Sequence, residues 1–157
     1  MPDDLLVVEG ETIRRTVRLT HDDIMLFAQM SHDANPLHQN RTAAQRARFP
    51  DVIASGQHTA SLLMGLMATH FTRSHDGIER EMLCLNTNFA YKAPVLADQD
   101  VLLQWRVTSV RYNNSLRGQL VQLDGSAAPP SGAPAVVARA TIMVRRAQSE
   151  EGLVDEA

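Results

Sequence analysis

The segment from about Gln57 to Phe71 leaves a chain of this kind few folds to choose from. Its spacing is helical, yet Ala60, Leu62, Leu63, Met64, Leu66, Met67 and Ala68 leave hardly any polar face. A helix that is apolar on every side must be buried nearly all round. With 157 residues the chain is most simply one domain, large enough to bury such a helix without staples. The cover comes later in the sequence. After His75-Asp76-Gly77 the apolar period changes to two, and strands are expected over Glu81–Tyr91, Val101–Tyr112, Arg117–Asp124 and Ala135–Arg146. Val101, Leu103, Trp105 and Val107 share one face of the second, and Val136, Ala138, Ala140, Ile142 and Val144 share one face of the last.

Ahead of the long helix, Thr12–Leu19 alternates as a strand. Thr20 offers a hydroxyl cap to a helix from about His21 to Met30, with Asp22 and Asp23 in the first turn, where the helix dipole favours acid. Asn40 or Thr42 can cap a short helix through Arg48, closed by Phe49-Pro50. The stretch Gly125–Pro134, rich in Ala, Pro, Ser and Gly, reads as a long, mobile strand-to-strand loop. Tyr112-Asn113-Asn114-Ser115 reads as a polar hairpin turn. One early strand, one all-apolar helix and four consecutive strands describe an α+β hot-dog fold, an antiparallel sheet wrapped around a long central helix. Residues 1–147 are expected to form this single domain, with 148–157 a flexible acidic tail. Its sheet edges favour pairing with a second copy, as a homodimer or dimer of dimers.

Charge and cysteine content narrow the partners. Fifteen Lys plus Arg against eighteen Asp plus Glu, with no long run of either sign, imply no nucleic-acid partner. No segment reaches the roughly eighteen apolar residues of a membrane span. A single cysteine, Cys84, excludes an intramolecular disulfide and fits a reducing compartment, so a cytoplasmic protein is expected.

The chemistry concentrates in Ser31-His32-Asp33-Ala34-Asn35-Pro36-Leu37-His38. Asn35-Pro36 prevents this segment from continuing as helix, because proline disfavours the helical conformation at the residue before it. The Asp33 carboxylate and the His38 imidazole can then converge on one small volume and grip a water between an acceptor and a donor. A plainer reading makes Asp33 and Asn35 turn formers and His38 a surface histidine. A second segment, Val52-Ile53-Ala54-Ser55-Gly56-Gln57-His58-Thr59, leads into the long helix. With no Cβ, Gly56 lets a ligand approach the backbone, and the first amides of the helix are free to meet a developing negative charge. Gln57 divides evenly between a capping role and a substrate contact. His58 and His70 fit packing or capping better than chemistry. Ser61 with His58 makes a poor nucleophile and base, since no carboxylate is placed to orient the imidazole. His32, Asp33 and His38 lack the spacing of a metal site, and no metal is expected.

These residues resemble the MaoC-like hydratase family, the (R)-specific enoyl-CoA hydratases. The resemblance rests on residues 31–38, on Ala43-Ala44 and Phe49, on Ile53-Ala54-Ser55-Gly56, and on Phe89, Pro94-Val95 and Asp100, and it spans roughly Leu19 to Arg146. It implies water addition to a trans-2-enoyl thioester, or the reverse dehydration, with no cofactor. Asp33 and His38 would be catalytic, the Gly56 amide would hold the thioester oxygen, and Asn35, Ser55 and Gln57 would line the substrate site. The substrate would be an acyl-CoA or acyl-carrier-protein thioester. The family has His-Gly where Ser55-Gly56 stands and Gly-Asp where Gln99-Asp100 stands, which points to a subfamily with its own substrate. A hot-dog acyl-CoA thioesterase and a non-catalytic subunit of a heteromeric dehydratase are the alternatives.

Overall fold

The computed structural model describes residues 5–148, so most of the expected tail lies outside the described residues. The elements run β1 (Thr12–Arg18), α1 (His21–Met30), α2 (Arg41–Arg46), α3 (Gly56–Phe71), β2 (Arg80–Tyr91), β3 (Asp100–Asn113), β4 (Gly118–Ala128) and β5 (Val136–Arg146). The strands form one antiparallel sheet in the order β1-β3-β4-β5-β2. Its concave face packs on α3, which gives the hot-dog fold expected from the apolar periods.

Thr20 caps α1 in a capping box, its hydroxyl accepting from the Asp23 amide while the Asp23 carboxylate accepts from the Thr20 amide. Asn40 caps α2, which is shorter than expected and stops at Arg46. Arg48 takes a left-handed conformation with φ of 68°, and the Phe49 amide returns to the Ala44 carbonyl, so the helix ends in a Schellman turn before Phe49-Pro50.

Leu63, Met67 and Phe71 are fully buried and Leu66 nearly so, as the helix pattern requires. They pack against Val101, Leu103, Trp105 and Val107 of β3, Val121 and Leu123 of β4, and Val136, Ile142 and Val144 of β5. The Trp105 indole N–H donates to the Leu63 carbonyl at 2.8 Å, tying sheet to helix at the centre of the core. The helix is not apolar on every side: Gln57, Ser61, Gly65 and Thr69, four residues apart, form an exposed strip.

The expected loop Gly125–Pro134 begins later than its composition suggested. Gly125–Ala128 continue β4, the first three paired on both sides and Ala128 on β3 alone, with Gly125 opposite Trp105 of β3 and Ala138 of β5. Gly125 serves close packing there, since a Cβ at that position would come within 2.5 Å of the Trp105 ring. The hairpin after β3 turns at Asn114–Arg117, where Arg117 has φ of 48°.

Candidate active site

Three segments meet beside the N-terminus of α3. The first is fixed by the end of α1. The His32 amide returns to the Gln29 carbonyl and the Asp33 amide to the Ala28 carbonyl at 2.8 Å, with His32 left-handed at φ of 56°. This is a Schellman turn with histidine in the place glycine usually takes. It delivers Asp33 as the first residue beyond the turn. Asn35 then accepts from the Leu37 amide and starts a single 3₁₀ turn, Pro36–His38, while its own amide donates to Asp33 Oδ1 at 3.0 Å. The turn brings His38 back toward Asp33.

The second segment, residues 52–57, is laced to the first and third. The Ile53 amide donates to the Leu37 carbonyl and the Ala54 amide to the Val95 carbonyl. Ser55 is the N-cap of α3, its hydroxyl accepting from the His58 amide, and Gly56 is the first helical residue. The amides of His58 and Thr59 are bonded to Ser55, whereas those of Gly56 and Gln57 have no acceptor among the described residues. The third segment is the exit from β2, Tyr91–Val95.

Between them lies a cavity of about 560 Å³. Its lining includes Asp33, His38, Phe49, Ser55, Gly56, Gln57, Tyr91 and Lys92, and most of its wall is apolar. His38 Nε2 stands 3.6 Å from Asp33 Oδ2, with the imidazole 8 % exposed and the carboxylate 23 %. His38 Nδ1 lies 2.7 Å from the Ile53 carbonyl. A carbonyl oxygen only accepts, so Nδ1 carries a proton, and Nε2 is the ring nitrogen left to face Asp33. Asp33 Oδ2 also accepts from the Gln57 side-chain amide at 3.2 Å. Gln57 therefore contacts the carboxylate rather than capping its own helix.

Five of the six residues singled out from the sequence, Asp33, His38, Ser55, Gly56 and Gln57, border this cavity. Asn35 does not; its side chain is taken up by the Leu37 amide. At Gly56 the protein's own chain also comes close. The φ there is not positive, and a Cβ would come within 2.6 Å of the Tyr91 ring, so this close approach comes from the protein's own aromatic. Tyr91 and Lys92 carry no mark in the sequence, because they reach the site only through the end of an edge strand. The carbonyl of Ile53 is likewise invisible to any reading of side chains.

The other histidines have packing and tethering roles. His58 stacks on Phe27 with centroids 4.3 Å apart, and burial lowers its pKa. His70 Nε2 meets Glu11 at 2.5 Å and joins the end of α3 to the start of β1. Ser61 donates to the Gln57 carbonyl of its own helix.

A hot-dog sheet thus wraps one helix, and a carboxylate, an imidazole and two helix-terminal amides without acceptors among the described residues border one cavity. The MaoC like domain model matches residues 7–123, and the chain belongs to that family. It is 25% identical over 121 residues to the mitochondrial 3-hydroxyacyl-[acyl-carrier-protein] dehydratase FERN of Solanum lycopersicum, covering 74% of this chain and 68% of that one. It is 28% identical over 104 residues to an (R)-specific enoyl-CoA hydratase of Rhodospirillum rubrum, covering 66% and 68% of the two chains. The solved (R)-hydratase from Aeromonas caviae involved in PHA biosynthesis superposes with a TM-score of 0.75 at 25% identity, covering 87% of this chain and 96% of that one. Relatives of the family are thus hydratases and dehydratases. Among the described residues no helix is long and apolar enough to cross a membrane.

Proposed function

We propose that this protein is a hydro-lyase that interconverts trans-2-enoyl and 3-hydroxyacyl thioesters. The observation that carries this reading is the Asp33–His38 contact at 3.6 Å, facing an apolar cavity beside the unbonded Gly56 and Gln57 amides. A conjugated thioester develops enolate charge on its carbonyl oxygen as water adds at C3, and helix-terminal amides meet such a charge without reorganising. Asp33 takes one proton from the attacking water, and the remaining hydroxyl bonds to C3. C2 takes the Nε2 proton of His38, which enters the step as the imidazolium, and the proton on Asp33 then returns to the imidazole across the short gap between them. The atoms balance, one water per double bond, and the same steps reversed dehydrate a 3-hydroxyacyl thioester. The Ile53 carbonyl holds Nδ1 throughout, so the ring keeps Nε2 toward the substrate.

Support for assembly with a second copy lies at the free edge of β2, where Leu83 and Leu85 are exposed at 57% and 48%. Antiparallel pairing of two such edges would cover both. The exposed, unpaired Cys84 beside them suits a reducing cytoplasm.

The test is a panel of enoyl and 3-hydroxyacyl thioesters followed by the loss or gain of enoyl absorbance, with free thiol measured in parallel. Hydration without thiol release supports the reading. Thiol release alone would assign a thioesterase, and binding without either would assign a non-catalytic subunit.

A further inference from the structure

We propose that Lys92 is the anchor for the phosphate of the pantetheine arm that carries the acyl group, whether that arm belongs to CoA or to a carrier protein. The proposal rests on the acyl-thioester reading above and adds how the carrier is held. Lys92 is the only lysine among fifteen Lys and Arg residues, and it stands at the cavity. Arg18, Arg73, Arg80 and Arg145 are each paired with a carboxylate, on Asp100, Glu11, Asp76 and Glu81. The Lys92 ammonium has no such partner among the described residues.

Its place in the cavity fits an entrance. The walls formed by residues 53–57 and 91–95 are joined by the bond from the Ala54 amide to the Val95 carbonyl and by the Ile53–Leu96 bridge. Among the described residues no backbone bond joins them beyond Ala54, and at the parted end Gly56 faces the Tyr91 ring. Tyr91, Lys92, Ala93 and Pro94 are all exposed there, whereas His38, Ser55, Thr59 and Val136 are buried. A thioester oxygen on the Gly56 amide sends its apolar acyl group toward the buried wall. Its carrier arm leaves past residues 91–94.

The acyl part of such a substrate has no charge to satisfy, and the arm carries phosphate. A chain with net charge −3 repels a polyanion overall, so one unneutralised cation at the entrance sets where the anion lands. A compact ammonium on a flexible stem, with three donors, suits a phosphate group arriving from solvent as a point charge. The backbone beneath it is firm: the Lys92 and Ala93 amides both donate to the Ala135 carbonyl.

The experiment compares crotonyl thioesters of CoA, of a phosphopantetheinylated carrier protein and of N-acetylcysteamine, which has no phosphate. In Lys92→Ala the preference in kcat/KM for the phosphate-bearing substrates over the truncated one falls roughly five- to tenfold, through KM. Lys92→Glu lowers it further, Lys92→Arg restores most of it, and added salt erodes it in the wild type and in Lys92→Arg but not in Lys92→Ala. Which of the two carriers loses more identifies the physiological source. An unchanged preference in Lys92→Glu overturns the proposal. Because the chain has one lysine, acylation by an amine reagent can be read at that side chain even without turnover. CoA or the carrier protein should slow it, and equal protection by plain pantetheine overturns the assignment. Absence of hydration by the wild type with every thioester would sink the hydratase reading and leave the protection result to decide the role of Lys92.

Discussion

The Tyr91 ring rests directly on Gly56, where a Cβ would lie 2.6 Å from two of its carbons. The first turn of α3, with its free amides, is thereby held against the exit of β2. Gly56→Ala forces one of the two apart. Because Tyr91 is 54% exposed, its ring can swing out, so folding should survive while the cavity entrance changes shape. Turnover is expected to fall, by up to about 2.7–4 kcal/mol of barrier if the amide leaves the thioester oxygen altogether. Tyr91→Ala in the same chain should return part of that loss. A double-mutant cycle in kcat/KM measures it, and purely additive effects would show that the ring does not transmit the substitution.

Asp33 and His38 share one contact, so they are expected to act as a unit. Asp33→Asn, His38→Ala and the double variant should all lose about the same activity, since groups acting together are strongly non-additive. Steady-state hydration of an enoyl thioester by folded variants gives the answer. Near-normal hydration by either single variant would remove that residue from the chemistry.

Much of this architecture was legible in the chain, and the misses have physical causes. Periodicity located α3 and the strands because burial acts on side chains, and side chains are what a sequence displays. It erred at the end of β4, where small residues resembled a loop: Gly125 is small because Trp105 lies over it, a tertiary demand that leaves no local trace. It also overstated the burial of α3, since Gly65 and Ser61 are compatible with either face. At the site, Asp33, His38 and the Gly56 helix start stand out because residue type and spacing are what a sequence displays. The Ile53 carbonyl that fixes the His38 ring, and the Tyr91 and Lys92 rim, come only from the sheet folding back on the helix.

His32 is the residue whose backbone places Asp33, and at φ of 56° it occupies a region that L side chains enter at a cost. A β-branched residue fits it worst. His32→Val should destabilise the fold by about 1–2 kcal/mol and lower turnover, because the turn must open or strain to accept it. His32→Gly should leave stability level or slightly improved with Asp33 still in place. Denaturant midpoints and kcat for the pair make the comparison, and equal behaviour of the two variants would argue that the turn does not position the carboxylate.

The buried side of the fold makes a sharper demand. Leu63 is fully buried and its carbonyl accepts the Trp105 indole. Leu63→Ala leaves a cavity under that ring and should cost about 2–5 kcal/mol. Gly125→Ala tests the opposite limit, pressing a methyl within 2.5 Å of an indole that has nowhere to go. Overpacking of that kind typically costs about 1–3 kcal/mol. Both are read from urea unfolding, and tolerance of either would mean that the Trp105 layer is looser than its zero exposure indicates.

Stability should also depend on pH through His21. Its Nε2 lies 2.9 Å from Asp51 and its Nδ1 3.1 Å from Asp98, so both ring nitrogens face carboxylate oxygens and the charged imidazolium satisfies both. The hydrogen bond to Asp51 raises the His21 pKa above 6.5, against a smaller opposing effect of burial, with the charges of Asp51 and Asp98 adding to it. A folded-state pKa above the unfolded value means the contribution is fully present below about 6.5 and fades as pH rises through the raised value. The group is on the surface, so the effect should be small and should weaken with salt. His21 ties the start of α1 to Asp51, next to the segment that carries Ser55 and Gly56. The expected result is that melting temperature falls across this range in the wild type more than in His21→Gln, with the difference shrinking in added salt. A wild-type profile that matches the variant would show that the bridge contributes nothing to stability.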